Sequence, residues 1–153
     1  MILKSFGCSF IFGTELSDDK YAQLPGYPSK LTWPALIAQH KNLQYQCYAS
    51  AGSGNTRIAE QVLNQLRTNE PAVYVIGWTW IERFDYIKPT RFNTENWATV
   101  TAWSKDEVAE FYYQNIHSQY WDKLNSLMTI NLCLQHLQAA GYPFLMTYMD
   151  ELL

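Results

Sequence analysis

A serine on the turn after a short apolar run is well placed to act as a nucleophile, and the stretch Gly7-Cys8-Ser9-Phe10, with Gly13 soon after, supplies one. On such a strand-to-loop turn the Ser9 hydroxyl and its own backbone N–H face the same space, which suits both attack on a carbonyl and binding of the oxyanion that forms. A second small-residue turn, Ala49-Ser50-Ala51-Gly52-Ser53-Gly54-Asn55, follows the second strand run. A third turn, Gly77-Trp78-Thr79-Trp80, follows the third apolar run. Trp78 and Trp80 are rings that could form a platform for a sugar or an acyl chain. Glu82-Arg83 reads first as an exposed charge pair and second as a substrate clamp.

Such a serine needs a base. His40 closes a short helix and His136 lies inside a long one, so both read as structural. His117 lies in an aromatic stretch and Asp150 follows the last apolar run; these two are the candidate bases, against an ordinary reading of Asp150 as a solvated carboxylate. Neither a metal-ligand cluster nor a dinucleotide-type glycine pattern is present, so no metal and no cofactor is expected. Cys8, Cys47 and Cys133 are odd in number and lack metal-type spacing, which fits a reducing compartment.

The elements that must carry these turns follow from apolar spacing. Ile2–Phe6, 43–48, 72–76 and 143–149 read as strands. Helices are expected at 34–40, with Pro34 in the first turn, from Asn55 as cap through 66, and from Trp121 to a stop at Gly141. The segment 13–32 reads as a loop, and 78–119 as long, aromatic and irregular apart from a short helix at 105–113. Strands alternating with helices predict an α/β fold, a three-layer, flavodoxin-like parallel sheet of about four strands with helices on both faces. Its chemistry would lie at the carboxyl ends of the strands, where the loops after the first three runs meet.

Composition narrows the partners. The 153 residues form a single domain with no repeat, and at 48% hydrophobic and 16% charged the chain can fold around a real core. Fourteen acidic and eleven basic residues are scattered singly, so nucleic acid is not an expected partner. Met1, Ile2, Leu3 and Lys4 lead too quickly into the turn for a secretory leader, and no apolar run suffices to span a bilayer; a cytoplasmic location away from membranes is expected.

Taken in order, the three turns resemble the motifs of the SGNH (GDSL-like) hydrolase superfamily. Gly7-Cys8-Ser9-Phe10 stands at the nucleophile motif, with Cys8 where Asp is usual; Gly52 fits the second motif, and Thr79 holds the place of the Asn in the third. The run from Ile76 through Trp80 to Phe84 is similar to a branch found among phage and bacterial proteins. The family's fourth motif, Asp-x-x-His, falls beyond the last strand, and the sequence reaches Leu153 without it, as a shortened product or one in which another histidine substitutes. The resemblance implies a serine esterase or acylhydrolase acting on a small ester or an acylated sugar. Ser9 would be the nucleophile, and Ser9, Gly52 and Thr79 would form the oxyanion hole. The alternative is a non-catalytic ligand-binding or assembly module on the same fold, its open sheet edge available to another copy. A third reading is a flavodoxin-like domain cradling a phosphorylated ligand on the N–H groups of the Ser50 to Asn55 turn.

Overall fold

The computed structural model describes residues 1–18, 27–89 and 96–151. Along the chain the elements are β1 (Ile2–Phe6), α1 (Ser9–Phe12), α2 (Trp33–His40), β2 (Gln44–Cys47), α3 (Asn55–Leu66), β3 (Ala72–Trp78), β4 (Phe84–Ile87), β5 (Trp97–Val100), α4 (Glu107–Asn115), α5 (Gln119–Ala140) and β6 (Phe144–Tyr148). The four expected strands form one sheet in the order β2-β1-β3-β6, every neighbour parallel. Parallel neighbours need crossovers, and the helices that supply them cover both faces, giving the expected three layers.

Alternation along each strand sends side chains to two cores. Phe6, Tyr74, Ile76 and Trp78 point to the face covered by α3 and α5, where Ile58, Val62, Cys133 and Leu137 are buried. Leu3 and Val75 point the other way, onto Ala38 of α2. Across the first face runs a column of stacked rings, Tyr48, Phe6, Tyr74 and Tyr142, with successive centroids 5.4, 5.6 and 5.6 Å apart. Lys4 shares this face although it is fully buried: its ammonium donates to Gln65 Oε1 at 3.2 Å and lies 2.8 Å from Glu70 Oε2. β6 is an edge strand, paired only with β3 among the described residues, and its Leu145 is half exposed.

Three expectations are corrected. The stretch 78–119 is not irregular, because β4 and β5 form an antiparallel hairpin there that packs Phe84, Val100 and Tyr112 into a small core of its own. The short helix in it begins at Glu107 rather than 105, since the Asp106 carboxylate caps it by accepting the Ala109 N–H at 3.0 Å. Asn55 is not the cap of α3 but its first residue, with Gly54 before it. Of the loop expected at 13–32, residues 19–26 lie outside the described residues. Gly141 ends α5 at φ 70°, as its lack of a Cβ permits. Among the described residues no helix is long and apolar enough to cross a membrane, and no group of His, Cys, Asp or Glu is arranged to hold a metal ion.

Candidate functional site

The loops after β1, β2, β3 and β6 are tied to one another along the carboxyl edge of the sheet. The Ser50 N–H donates to Gly7 O at 3.1 Å, joining the second turn to the first. A Cβ on Gly7 would meet Gly77 O at 3.0 Å and the Ile11 side chain at 2.4 Å, so glycine is required where the first and third turns touch. Asn55 joins the second turn to the third: its Oδ1 accepts the Thr79 N–H at 2.9 Å and its Nδ2 donates to Thr79 O at 3.2 Å and Ser126 Oγ at 3.1 Å. The Ile81 N–H donates to Asp150 Oδ2 at 2.7 Å, joining the end of β6 to the segment after β3.

Ser9 opens α1 and is half-buried beside the fully buried Cys8. It lines a cavity of about 240 Å³ with Phe10, Thr14 and Glu15. The first-turn N–H groups of a helix have no intrahelical partner, so a serine at this position has donors beside its hydroxyl. Glu15 holds a left-handed backbone, φ 71°, as do the turn residues Asn42 and Asn69, a conformation uncommon for a residue with a side chain. Nothing in the sequence motifs singled out Glu15; its distance from Ser9 along the turn was the available signal. Gly52 is exposed at φ 81°, and a Cβ there would meet nothing within 4 Å, so its glycine serves the backbone conformation rather than close packing.

The remaining candidates are distributed more widely. Thr79 is 2% exposed, its backbone is clasped by Asn55, its hydroxyl lies toward Met149 Sδ at 4.0 Å, and it is not among the residues that line the Ser9 cavity. Trp78 is not a platform: at 1% exposure it belongs to the core against α3 and α5, because it continues β3 in the register of Tyr74 and Ile76. Trp80 does stand at the rim, half-buried, edge-on to Phe10 with centroids 5.7 Å apart. Arg83 lies over the Trp80 ring at 4.8 Å and donates from Nη1 to Ser53 O at 3.0 Å, rather than pairing with Glu82. The Glu82 carbonyl accepts the Tyr113 hydroxyl at 2.7 Å.

Neither candidate base lines the Ser9 cavity. His117 has its Nδ1 2.8 Å from Asp122 Oδ2, and Asp122, almost fully buried, also accepts the Tyr112 hydroxyl at 2.7 Å. Burial and the Asp122 carboxylate push the Tyr112 hydroxyl well above its ordinary pKa, so it stays a donor. Asp150 lines a separate cavity with Ile81, Gln119, Tyr120 and Lys123.

The start of α3 is occupied from within. Asp85, on β4, accepts the Gly54 N–H at 2.9 Å and the Thr99 hydroxyl at 2.5 Å on Oδ1, and the Arg57 N–H at 2.9 Å on Oδ2. An internal carboxylate thus takes the N–H groups that the phosphate-cradle reading needs.

No protein-family model matches the sequence, and no curated protein does. Among solved structures the chain is similar to a protein from Desulfitobacterium hafniense DCB-2 assigned to the G-D-S-L family of lipolytic proteins, at a TM-score of 0.52 and 10% identity. The likeness covers 95% of this chain and 57% of that one. At that identity the likeness concerns the fold alone, and the chain has a GDSL-like α/β fold, a parallel β2-β1-β3-β6 sheet between two helical layers.

Proposed function

We propose that the chain is an SGNH-type serine ester hydrolase acting on a small ester or an acylated sugar. The observation that carries this reading is the position of Ser9: half-buried at the start of α1, at the carboxyl end of β1 and beside a cavity, in a fold shared with a G-D-S-L protein. The proton from Ser9 Oγ passes to Glu15, the ionisable side chain lining that cavity among the described residues. Ser9 Oγ then bonds to the carbonyl carbon, and the oxyanion takes hydrogen bonds from the N–H groups of Ser9 and Gly52. Collapse expels the alcohol with the proton held by Glu15, leaving an acyl-serine. Water attacks the acyl carbon as it gives a proton to Glu15; collapse breaks the bond between Ser9 Oγ and the acyl carbon, Glu15 returns the proton to Ser9 Oγ, and the acid leaves. Phe10 and Trp80 at the rim offer apolar faces to the acyl or sugar portion.

A specific observation favours a second reading, a non-catalytic binding module on the same fold: His117 and Asp150 are each engaged away from the Ser9 cavity. Hydrolysis of short p-nitrophenyl esters separates the two. Turnover abolished in Ser9→Ala supports the hydrolase; turnover equal in wild type and Ser9→Ala, or absent from both, overturns it.

A further inference from the structure

We infer that Asp85 is a positioning residue for the oxyanion loop, delivered to it by the β4–β5 hairpin; this rests on the hydrolase reading of Ser9 and Gly52. The helix that follows the loop has no cap of its own. Gly54 precedes α3 without a side-chain cap, and no acidic residue stands in the first turn of α3. Asp85 fills both roles from a distant part of the chain, accepting the N–H groups of Gly54 and Arg57 with its two oxygens while Thr99, across the hairpin, holds Oδ1.

Gly54 records the closeness of this approach. Its φ is −91°, a conformation open to any residue, so backbone freedom does not explain the glycine. A Cβ there would stand 2.6 to 2.8 Å from the carboxylate atoms of Asp85, which is a collision. The glycine therefore makes room for the acid. Two residues earlier stands Gly52, whose own position has no side chain packed against it. The segment that carries Gly52 is held at its start by Ser50 N–H on Gly7 O, and at its finish by Asp85 on Gly54 and Arg83 on Ser53 O. Both finishing contacts come from the segment after β3. A donor in an oxyanion hole acts through where it points when charge develops, so the groups that fix the loop act on the transition state more than on substrate binding.

The test compares wild type with Asp85→Ala, Asp85→Asn and Gly54→Ala, in full-length protein. Three quantities are read: kcat and KM on p-nitrophenyl acetate, the rate of Ser9 labelling by a fluorophosphonate, and hydrogen exchange of the segment 50–57. Misplacing one donor costs roughly tenfold to a hundredfold in rate. Asp85→Ala is expected to lower kcat and the labelling rate by about that factor while KM changes by less than about threefold. Asp85→Asn, which keeps one acceptor, is expected to fall between the two. Gly54→Ala retains the acid but pushes its carboxylate away from the Gly54 N–H, so it is expected to reproduce the loss of kcat even if Asp85→Ala folds poorly. Exchange at Gly54 and Arg57 is expected to rise in Asp85→Ala with the β1 and β3 amides unchanged. Wild-type kcat in both Asp85→Ala and Gly54→Ala, or unchanged exchange at Gly54 and Arg57, overturns the inference while leaving the hydrolase reading intact. Wild-type protein that neither turns over ester nor labels at Ser9 overturns the hydrolase reading, and the catalytic role of Asp85 with it.

Discussion

Removing the Asn55 side chain should unfold the carboxyl edge from within. Asn55 is 4% exposed and holds both backbone polar groups of Thr79, a residue itself 2% exposed. In Asn55→Ala the Thr79 N–H and C=O lose their partners in a place water reaches poorly. Each buried group left without a partner costs about 1–3 kcal/mol, so the pair costs about 2–6 kcal/mol, and Ser126 Oγ loses a donor besides. A central figure of about 4 kcal/mol is a large part of the stability of a domain this size and corresponds to a fall in Tm of about 8–16 °C. Urea unfolding followed by tryptophan fluorescence measures it directly as a lower midpoint at unchanged slope. Asn55→Asp keeps the acceptor for Thr79 N–H but sets a carboxylate against Thr79 O, and is expected to be at least as damaging. A loss below about 1 kcal/mol in both variants would refute the claim that this side chain, rather than the sheet, fixes the third turn.

Two further outcomes follow from the buried charges. Glu70→Ala leaves the Lys4 ammonium fully buried with only Gln65 as partner; the loss is expected at about 1–3 kcal/mol, less than for a fully buried pair because Glu70 is 45% exposed, and is read from the urea midpoint. Burial pushes the Asp85 carboxyl above the usual carboxylate range, outweighing the hydrogen bonds from Thr99, Arg57 and Gly54 and the Arg57 charge, which all lower it. Its folded pKa therefore exceeds the unfolded value of about 3.9, so the stability it contributes is full below that pH and is lost as pH rises through the folded pKa. Urea midpoints measured upward from about pH 4 should decline more steeply in wild type than in Asp85→Asn, and equal slopes would refute the assignment.

How much of this was legible from sequence depended on range. β1 was read to the residue and β3 to within two, because a buried parallel strand is a short apolar run and needs no knowledge of its partners; β6, a similar run at the sheet edge, and β2, marked by the alternation of Leu43, Tyr45 and Cys47, were read to within one. The turns carrying Ser9, Gly52 and Thr79 were equally visible, since glycine and small residues mark the ends of such runs. Trp78 was misjudged because β3 runs two residues past the expected stop at Ile76: Gly77 continues the strand instead of ending it, and Trp78 turns into the core. The hairpin was hidden by its short strands, Phe84–Ile87 and Trp97–Val100, and by the absence of a tight Asn-Gly or Asp-Gly turn between them. Its contribution to α3 was invisible in principle. Capping is read locally, so Asn55 looked like the cap, whereas Asp85 lies about thirty positions away and only the folded chain brings it to Gly54.

The column of Tyr48, Phe6, Tyr74 and Tyr142 bears on how the sheet assembles without error. Each ring comes from a different strand or its immediate flank, so the stack reads out the alignment of all four at once. Sliding one strand by a single residue would turn its ring to the opposite side, where Leu3 and Val75 already pack on Ala38 of the covering helix. A misaligned sheet would lose a ring from one layer and crowd the other in the same step. Proofreading of strand alignment is thereby built into the packing, for partners such as β1 and β3 that lie some seventy residues apart along the polypeptide.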